Sequence, residues 1–293
     1  MNGLHLNFLN FEKLHGLGND YIILNDRDLM IPEEKKSALA LKLCRHHFSV
    51  GADGLIYVCS SDIADIKMRI FNSDGSEAEM CGNGIRCFSK YIYENNIIKK
   101  DEIYIETLKG IMEAKLNIID NQVKSVRIDM GPPILECKNI PVISEINSDK
   151  CVNEKIIILD KIFYFTAVSI GNPHAVIFVE NQLDDDNLNM YGSVIESHSR
   201  FPKKVNTEFV EIISNTEGRV RVFERGVGIT KSCGTGACAV VVAGVQLGHF
   251  KQNFPIIIDN DGGDLVITYT GETVYLEGPI ERVFYGNIKN LEI

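Results

Sequence analysis

A block of this sequence occurs twice, and that constrains the fold more than any other feature. Cys81-Gly82-Asn83-Gly84 returns as Cys233-Gly234-Thr235-Gly236, and the correspondence runs well beyond the cysteines. Gly18-Asn19 opens the apolar run Tyr21-Ile22-Ile23-Leu24, as Gly171-Asn172 opens Ala175-Val176-Ile177-Phe178. Asn72 stands nine residues before Cys81, and Glu224 nine before Cys233. Gly110 and Gly262 each follow their cysteine by 29 residues, and Gly131-Pro132 is echoed by Gly278-Pro279. Five features in one order, at offsets that drift only from 153 to 147, call for a duplicated unit. The period is far longer than a solenoid repeat, so the unit is a domain.

Both halves carry the same local signals. Strands are expected at 20–25, 55–59 and 66–71, and again at 103–107, 111–117 and 123–130, with turn chemistry between them. Pro32-Glu33-Glu34 opens a helix running toward His47, and a second helix fits 81–94. The second half repeats this with strands at 163–169, 175–179, 208–214, 219–223, 256–258, 265–269 and 273–277. Its helices fit 188–198 and 233–247. Many strands and two main helices per half predict an α+β fold. Each domain is expected to be a curved, mostly antiparallel sheet around a central helix, with the active site in the cleft between domains. Gly131-Pro132-Pro133 sets the boundary, giving domains 1–132 and 133–293, and the polar stretch 143–154 is expected to be an exposed loop.

Bulk properties exclude several classes. A formal charge of −10 argues against nucleic acid or an anionic membrane as partner, because phosphate contact needs a cationic face. No run approaches the length that spans a bilayer, and residues 1–10 lack the basic and apolar regions of a signal peptide. Eight cysteines in 293 residues are sparse for a disulfide-stapled domain. A cytoplasmic, reduced protein is expected. The cysteine spacings lack paired CxxC and nearby histidine pairs, so no metal site is expected.

Most of the cysteines read as small buried hydrophobes: Cys44, Cys59, Cys87, Cys137, Cys151 and Cys238. Cys81 and Cys233 differ. Both hold one position of the repeat, both precede glycines and both start helices. The positive end of a helix dipole favours thiolate there. Gly82, Gly84, Gly234 and Gly236 leave backbone N–H groups open to an anion such as a carboxylate. Glu224-Arg225 ends a strand before Cys233. Its carboxylate suits an ammonium and its guanidinium a carboxylate, which together fit an amino acid. Asn19, Asn72 and Asn172 hold repeat-related positions at strand ends, and Asn83 and Asn206 lie in similar settings. His174, after Gly171-Asn172-Pro173, is placed to orient or deprotonate a thiol. Gly16-Leu17-Gly18 precedes a strand rather than a helix and no Walker lysine is present, so no nucleotide cofactor is expected.

Taken together, Gly16-Leu17-Gly18-Asn19-Asp20-Tyr21, Phe71-Asn72-Ser73-Asp74-Gly75-Ser76, Met80 to Cys87, Gly171-Asn172-Pro173-His174-Ala175, Asn206-Thr207-Glu208-Phe209, and Glu224-Arg225-Gly226 through Gly236 resemble the diaminopimelate epimerases. The resemblance spans nearly the whole chain. It implies a cofactor-independent homodimer that interconverts LL- and meso-diaminopimelate in lysine and peptidoglycan precursor synthesis. It implies that Cys81 and Cys233 form the acid–base pair and that His174 and Glu224 assist them. Gly82, Asn83, Gly234 and Thr235 would contact the reacting end of the substrate. Asn72, Asn172, Asn206 and Arg225 would read the distal stereocentre, and Asn19 would add a contact. It also implies that the last strand, near 281–293, packs back on the first domain. Gly54 stands where some relatives carry glutamine and has no side chain to offer. The alternatives are a proline or hydroxyproline racemase-like isomerase of the same fold and a non-catalytic amino-acid sensor.

Overall fold

The computed structural model describes residues 5–146, 148–159 and 161–293. Residues 1–4, part of the stretch read for a leader, and Asn147, inside the expected loop, lie outside it. The chain forms two compact units. One holds the residues up to Ile128 together with Gly278–Ile293, and the other holds Asp129–Glu277.

In the first unit the elements are β1 (His5–Gly16), β2 (Asn19–Asn25), the single turn α1 (Asp26–Leu29), α2 (Glu33–Leu43), β3 (Gly54–Cys59), β4 (Ile66–Asn72), β5 (Glu77–Ala78), α3 (Gly82–Glu94), β6 (Glu102–Thr107), β7 (Gly110–Ile119) and β8 (Gln122–Asp129). The second holds β9 (Glu154–Ile158), β10 (Lys161–Ser169), β11 (Pro173–Val179), α4 (Asp185–Glu196), β12 (Asn206–Ser214), β13 (Glu217–Glu224), β14 (Gly228–Thr230), α5 (Gly234–Gln246), β15 (Ile256–Asn260), β16 (Gly263–Tyr269) and β17 (Val274–Pro279), after which β18 (Glu281–Glu292) closes the chain.

The duplication is visible in the pairing. β2 runs parallel to β3 as β11 does to β12, and β4 runs parallel to β6 as β13 does to β15. The remaining ladders inside each unit are antiparallel, among them β3 with β4 and β12 with β13. Each unit wraps its sheet around one buried helix. Gly82 to Ile92 of α3 are all buried, as are most residues of α5 from Gly234 to Gly244. The α5 sequence Ala-Cys-Ala-Val-Val-Val-Ala-Gly is apolar on every side, which only a helix enclosed by sheet can satisfy. Its small residues allow close approach: a Cβ on Gly244 would lie 2.2 Å from the Phe250 ring.

Three strands escape a reading of alternation. β1 buries Leu9 and Phe11, then slips phase at a bulge between Lys13 and Leu14 before burying Leu14 and Gly16. β18 is exposed at most positions and is held by its ladder to β1, with Leu9 opposite Ile288. β9 alternates inward Glu154, Ile156 and Ile158, but its first inward residue is charged. Glu154 is buried against the Arg200 guanidinium, which also donates to the carbonyls of Ile143 and Lys155 at 2.7 and 2.9 Å. The stretch 143–154 is therefore tied down at its end, and Cys151 within it is fully buried. Cys59 is half-buried rather than buried, because it closes β3 at the sheet margin.

Candidate active site

Cys81 is the residue immediately before α3, in extended conformation with φ −139° and ψ 126°. The first-turn N–H groups of Gly82, Asn83 and Gly84 have no carbonyl one turn back within the helix, as at any helix start. Around the sulfur stands a network of neutral polar groups. The Tyr21 hydroxyl lies 3.0 Å from Cys81 Sγ and donates to Asn19 Oδ1 at 2.7 Å. Asn83 Nδ2 donates to the same oxygen at 3.2 Å, and Arg86 holds Asn83 Oδ1 at 2.9 Å. Asn19 Nδ2 is in turn anchored on Asp53 at 2.7 Å. Asn19, Asn83 and Cys81 are thus gathered at one helix end, and Tyr21 joins them. Asn72, exposed, donates to Ser76 Oγ at 2.9 Å at the end of β4.

Cys233 takes the same place before α5, with φ −122° and ψ 108°. Its sulfur accepts from the Gly236 N–H at 3.4 Å and lies 3.5 Å from Thr235 Oγ1. The surroundings are acidic. Glu224, at the end of β13, accepts from Thr230 at 2.7 Å. Burial raises the Glu224 carboxyl above the ordinary carboxylate range, against the pull of hydrogen bonds from Thr230 and Cys233. Glu208 is fully buried, with one oxygen 2.6 Å from His174 Nδ1 and the other without a hydrogen-bond partner. His174 Nε2 lies 3.0 Å from Asn172 Oδ1.

A helix N-terminus alone favours thiolate, but the Cys233 thiol is pushed well above its ordinary value. Burial is the largest cause, followed by the Glu224 and Glu208 carboxylates. Thr235 and the Gly236 N–H oppose them and do not prevail. Burial first, and then the two nearby acids, outweigh the hydrogen bonds that this helix start offers the sulfur.

Asn206 is committed within its unit. Its Nδ2 donates to the Pro173 carbonyl at 3.0 Å and its Oδ1 accepts from the Arg225 N–H at 2.9 Å. The Arg225 side chain is exposed and donates to the Lys203 carbonyl at 3.2 Å. Asn206 therefore shapes the backbone that presents Arg225.

The sheet registers align the two helix ends residue by residue. Tyr21 pairs with Gly54, and Gly54 with Asn72. His174 pairs with Asn206, and Thr207 with Phe223, which brings Asn206 level with Glu224. Tyr21 thus holds the place of His174, Gly54 that of Asn206, and Asn72 that of Glu224. Sequence reasoning singled out neither Tyr21 nor Glu208. The signal for Tyr21 was available, since it follows Gly18-Asn19 as His174 follows Gly171-Asn172. Among the described residues no cluster of three or more His, Cys, Asp or Glu side chains is arranged to hold a metal ion, and no helix is long and apolar enough to cross a membrane.

The family profile described as diaminopimelate epimerase matches residues 11–136 and 166–283. A diaminopimelate epimerase of Carboxydothermus hydrogenoformans is 48% identical over 95% of this chain and 98% of its own length. One from Brachyspira hyodysenteriae is 47% identical over 96% and 99%. Among solved structures, a phenazine biosynthesis protein of the PhzF family from Bacillus anthracis superposes with a TM-score of 0.72 over 97% of this chain and 99% of that one. At 17% identity that likeness speaks for the fold alone.

Proposed function

This chain belongs to the diaminopimelate epimerase family, and we propose that it interconverts LL- and meso-diaminopimelate with Cys81 and Cys233 as paired acid and base. The observation that carries this reading is the placement of both cysteines, each the last extended residue before a buried helix and each followed by glycine.

Inversion at a carbon needs proton removal from one face and delivery to the other. One sulfur, as thiolate, takes the α-proton, and the C–H electron pair stays on the substrate. The other, as thiol, donates to the opposite face, and the reverse reaction exchanges the roles. Charge gathers on the substrate α-carboxylate as the proton leaves. First-turn N–H groups of Gly82, Asn83, Gly234 and Thr235 are the donors for that charge, and such preorganised donors are worth about 2.7–4 kcal/mol each. The raised Glu224 carboxyl is suited to exchange a proton with Cys233, and His174 to assist a thiol. Asn72, Asn172, Asn206 and Arg225 select the distal amino-acid end, with Arg225 gripping its carboxylate. Asn19 fixes the substrate beside Cys81. No cofactor takes part in this scheme.

We place the protein in the cytoplasm, in lysine and peptidoglycan precursor synthesis, where its eight free cysteines stay reduced. We also read it as a homodimer. Phe8, Phe284 and Tyr285 stand exposed on the paired strands β1 and β18, which supports that reading, and sedimentation would measure the mass.

The decisive experiment follows α-hydrogen exchange in deuterated water with diaminopimelate, and with proline as control. Cys81→Ala and Cys233→Ala should each reduce epimerisation by about a thousandfold or more while diaminopimelate still binds. Either variant turning over within a few-fold of the parent enzyme would sink the two-thiol reading.

A further inference from the structure

We infer that Tyr21 is a positioning residue for Cys81, its hydroxyl accepting from the thiol and donating to the thiolate as the sulfur gives and takes the α-proton. The inference rests on the reading of Cys81 as an acid and base.

Three observations converge on it. The first is contact: the hydroxyl is 3.0 Å from Cys81 Sγ and 2.7 Å from Asn19 Oδ1. A phenol has one hydrogen and two acceptor lone pairs. With Cys81 as thiol, S–H donates to the Tyr21 oxygen and the phenol hydrogen rests on Asn19. With Cys81 as thiolate, that hydrogen turns to the sulfur, while Asn19 Oδ1 keeps its bond from Asn83 Nδ2 at 3.2 Å. No proton leaves the phenol in either state. The α-proton and its bond to sulfur are the only ones exchanged.

The second is space. Tyr21 and Gly54 are partners across the β2–β3 ladder. A Cβ on Gly54 would come within 3.0 Å of Tyr21 Cε1, 3.2 Å of Cδ1 and 2.8 Å of the Phe71 carbonyl. The ring lies over the bare face of this glycine, so a side chain there would move the hydroxyl from the sulfur. Gly54, which offers nothing to a substrate itself, thereby makes room for the group that steadies Cys81.

The third is the repeat. Tyr21 occupies the position that His174 holds in the second unit, and each side chain meets the Oδ1 of the asparagine two residues before it. Both rings can serve as donor or acceptor. Burial, then the charge and hydrogen bond of Cys81, hold the Tyr21 phenol well above its ordinary value. It therefore stays a donor across the working pH range.

Tyr21→Phe keeps the ring and removes only the hydroxyl. It should lower kcat about tenfold in both directions with KM nearly unchanged, since hydrogen bonds to a charged partner are the stronger ones. Alkylation of Cys81 by iodoacetamide, followed by peptide mass spectrometry against pH, should show its onset moved up by roughly half to one pH unit. Cys233 serves as the internal control and should not move. Gly54→Ala disturbs the same contact by displacing the ring and should shift the Cys81 profile in the same direction. If folded Tyr21→Phe matches the parent in kcat and in the Cys81 profile, the inference is overturned. Cys81→Ala keeps the two failures apart. An active Cys81→Ala enzyme removes the acid–base reading itself, whereas an inactive one beside an unaltered Tyr21→Phe removes only the role of Tyr21.

Discussion

Cys81 and Cys233 stand at the same point of one architecture, yet their neighbours differ in kind. Cys81 sits among a hydroxyl and amides from Tyr21, Asn19 and Asn83, neutral groups that can face either protonation state. Cys233 sits near Glu224 and Glu208, whose charge opposes a thiolate. At repeat-related positions tyrosine stands for histidine, asparagine for glutamate and glycine for asparagine. The backbone of each helix start is kept: both cysteines are extended residues directly before a buried helix. The side chains around them differ, and with them the electrostatics of the two thiols.

The largest test of this difference lies at Glu208. It is fully buried with His174, its Oε1 2.6 Å from His174 Nδ1. Glu208→Gln keeps the shape and removes the acid, so His174 loses the partner that sets its ring hydrogen. Epimerisation should fall about a hundredfold, as for a general acid–base group wrongly protonated. A turnover within threefold of the parent would mean that the acid serves packing alone.

A smaller and sharper effect is expected at Glu224. Its carboxylate contributes to the raised Cys233 thiol, second only to burial. In the parent enzyme, therefore, alkylation of Cys233 should rise only as pH climbs above the ordinary thiol range of about 8.5. Glu224→Gln removes a negative charge that disfavours thiolate. The onset should move to lower pH by about one unit while Cys81 keeps its profile. Turnover should fall at the same time, although the thiol ionises more readily. An onset unmoved, or moved upward, would break the electrostatic contrast between the helix ends.

Much of this was legible in the chain, and the exceptions share causes. The duplication, both central helices and the placement of Asn19, Asn83 and Cys81 follow from glycine, asparagine and cysteine at matched offsets. These residues mark backbone conformations that sequence displays directly. Glu208 was hidden because it lies inside an apolar strand run, where an acid reads as an outward residue. Only the fold shows that it points at a histidine brought alongside by a parallel strand. Tyr21 was hidden because it reads equally well as the first apolar residue of β2. β1 was hidden by its bulge, and β18, which lacks a buried face, was expected only through the family resemblance. At Cys233 the sequence shows the helix dipole but not the depth of burial that opposes it.

The smallest expected effect concerns the third glycine-motif position of each helix, where the same substitution should give unequal results. Alanine at Gly84 would bring a Cβ to 3.0 and 3.3 Å from the terminal methyls of Ile70 and Ile56, and those flexible ends can yield. Alanine also favours helix over glycine by up to about 1 kcal/mol, so Gly84→Ala should lie within about 1 kcal/mol of neutral. At Gly236 the new Cβ would lie 2.8 Å from Glu208 Oε1, 3.2 Å from Cys233 Cβ and 3.3 Å from its sulfur. Glu208 is held by His174 and cannot swing away without breaking a buried bond. Gly236→Ala should therefore cost about 1–3 kcal/mol by overpacking and displace the cysteine as well. Urea melts of the two variants measure the difference. Equal costs would show that the acidic surroundings of the second helix are looser than their contacts imply, and the contrast between the two thiols would then rest on charge alone.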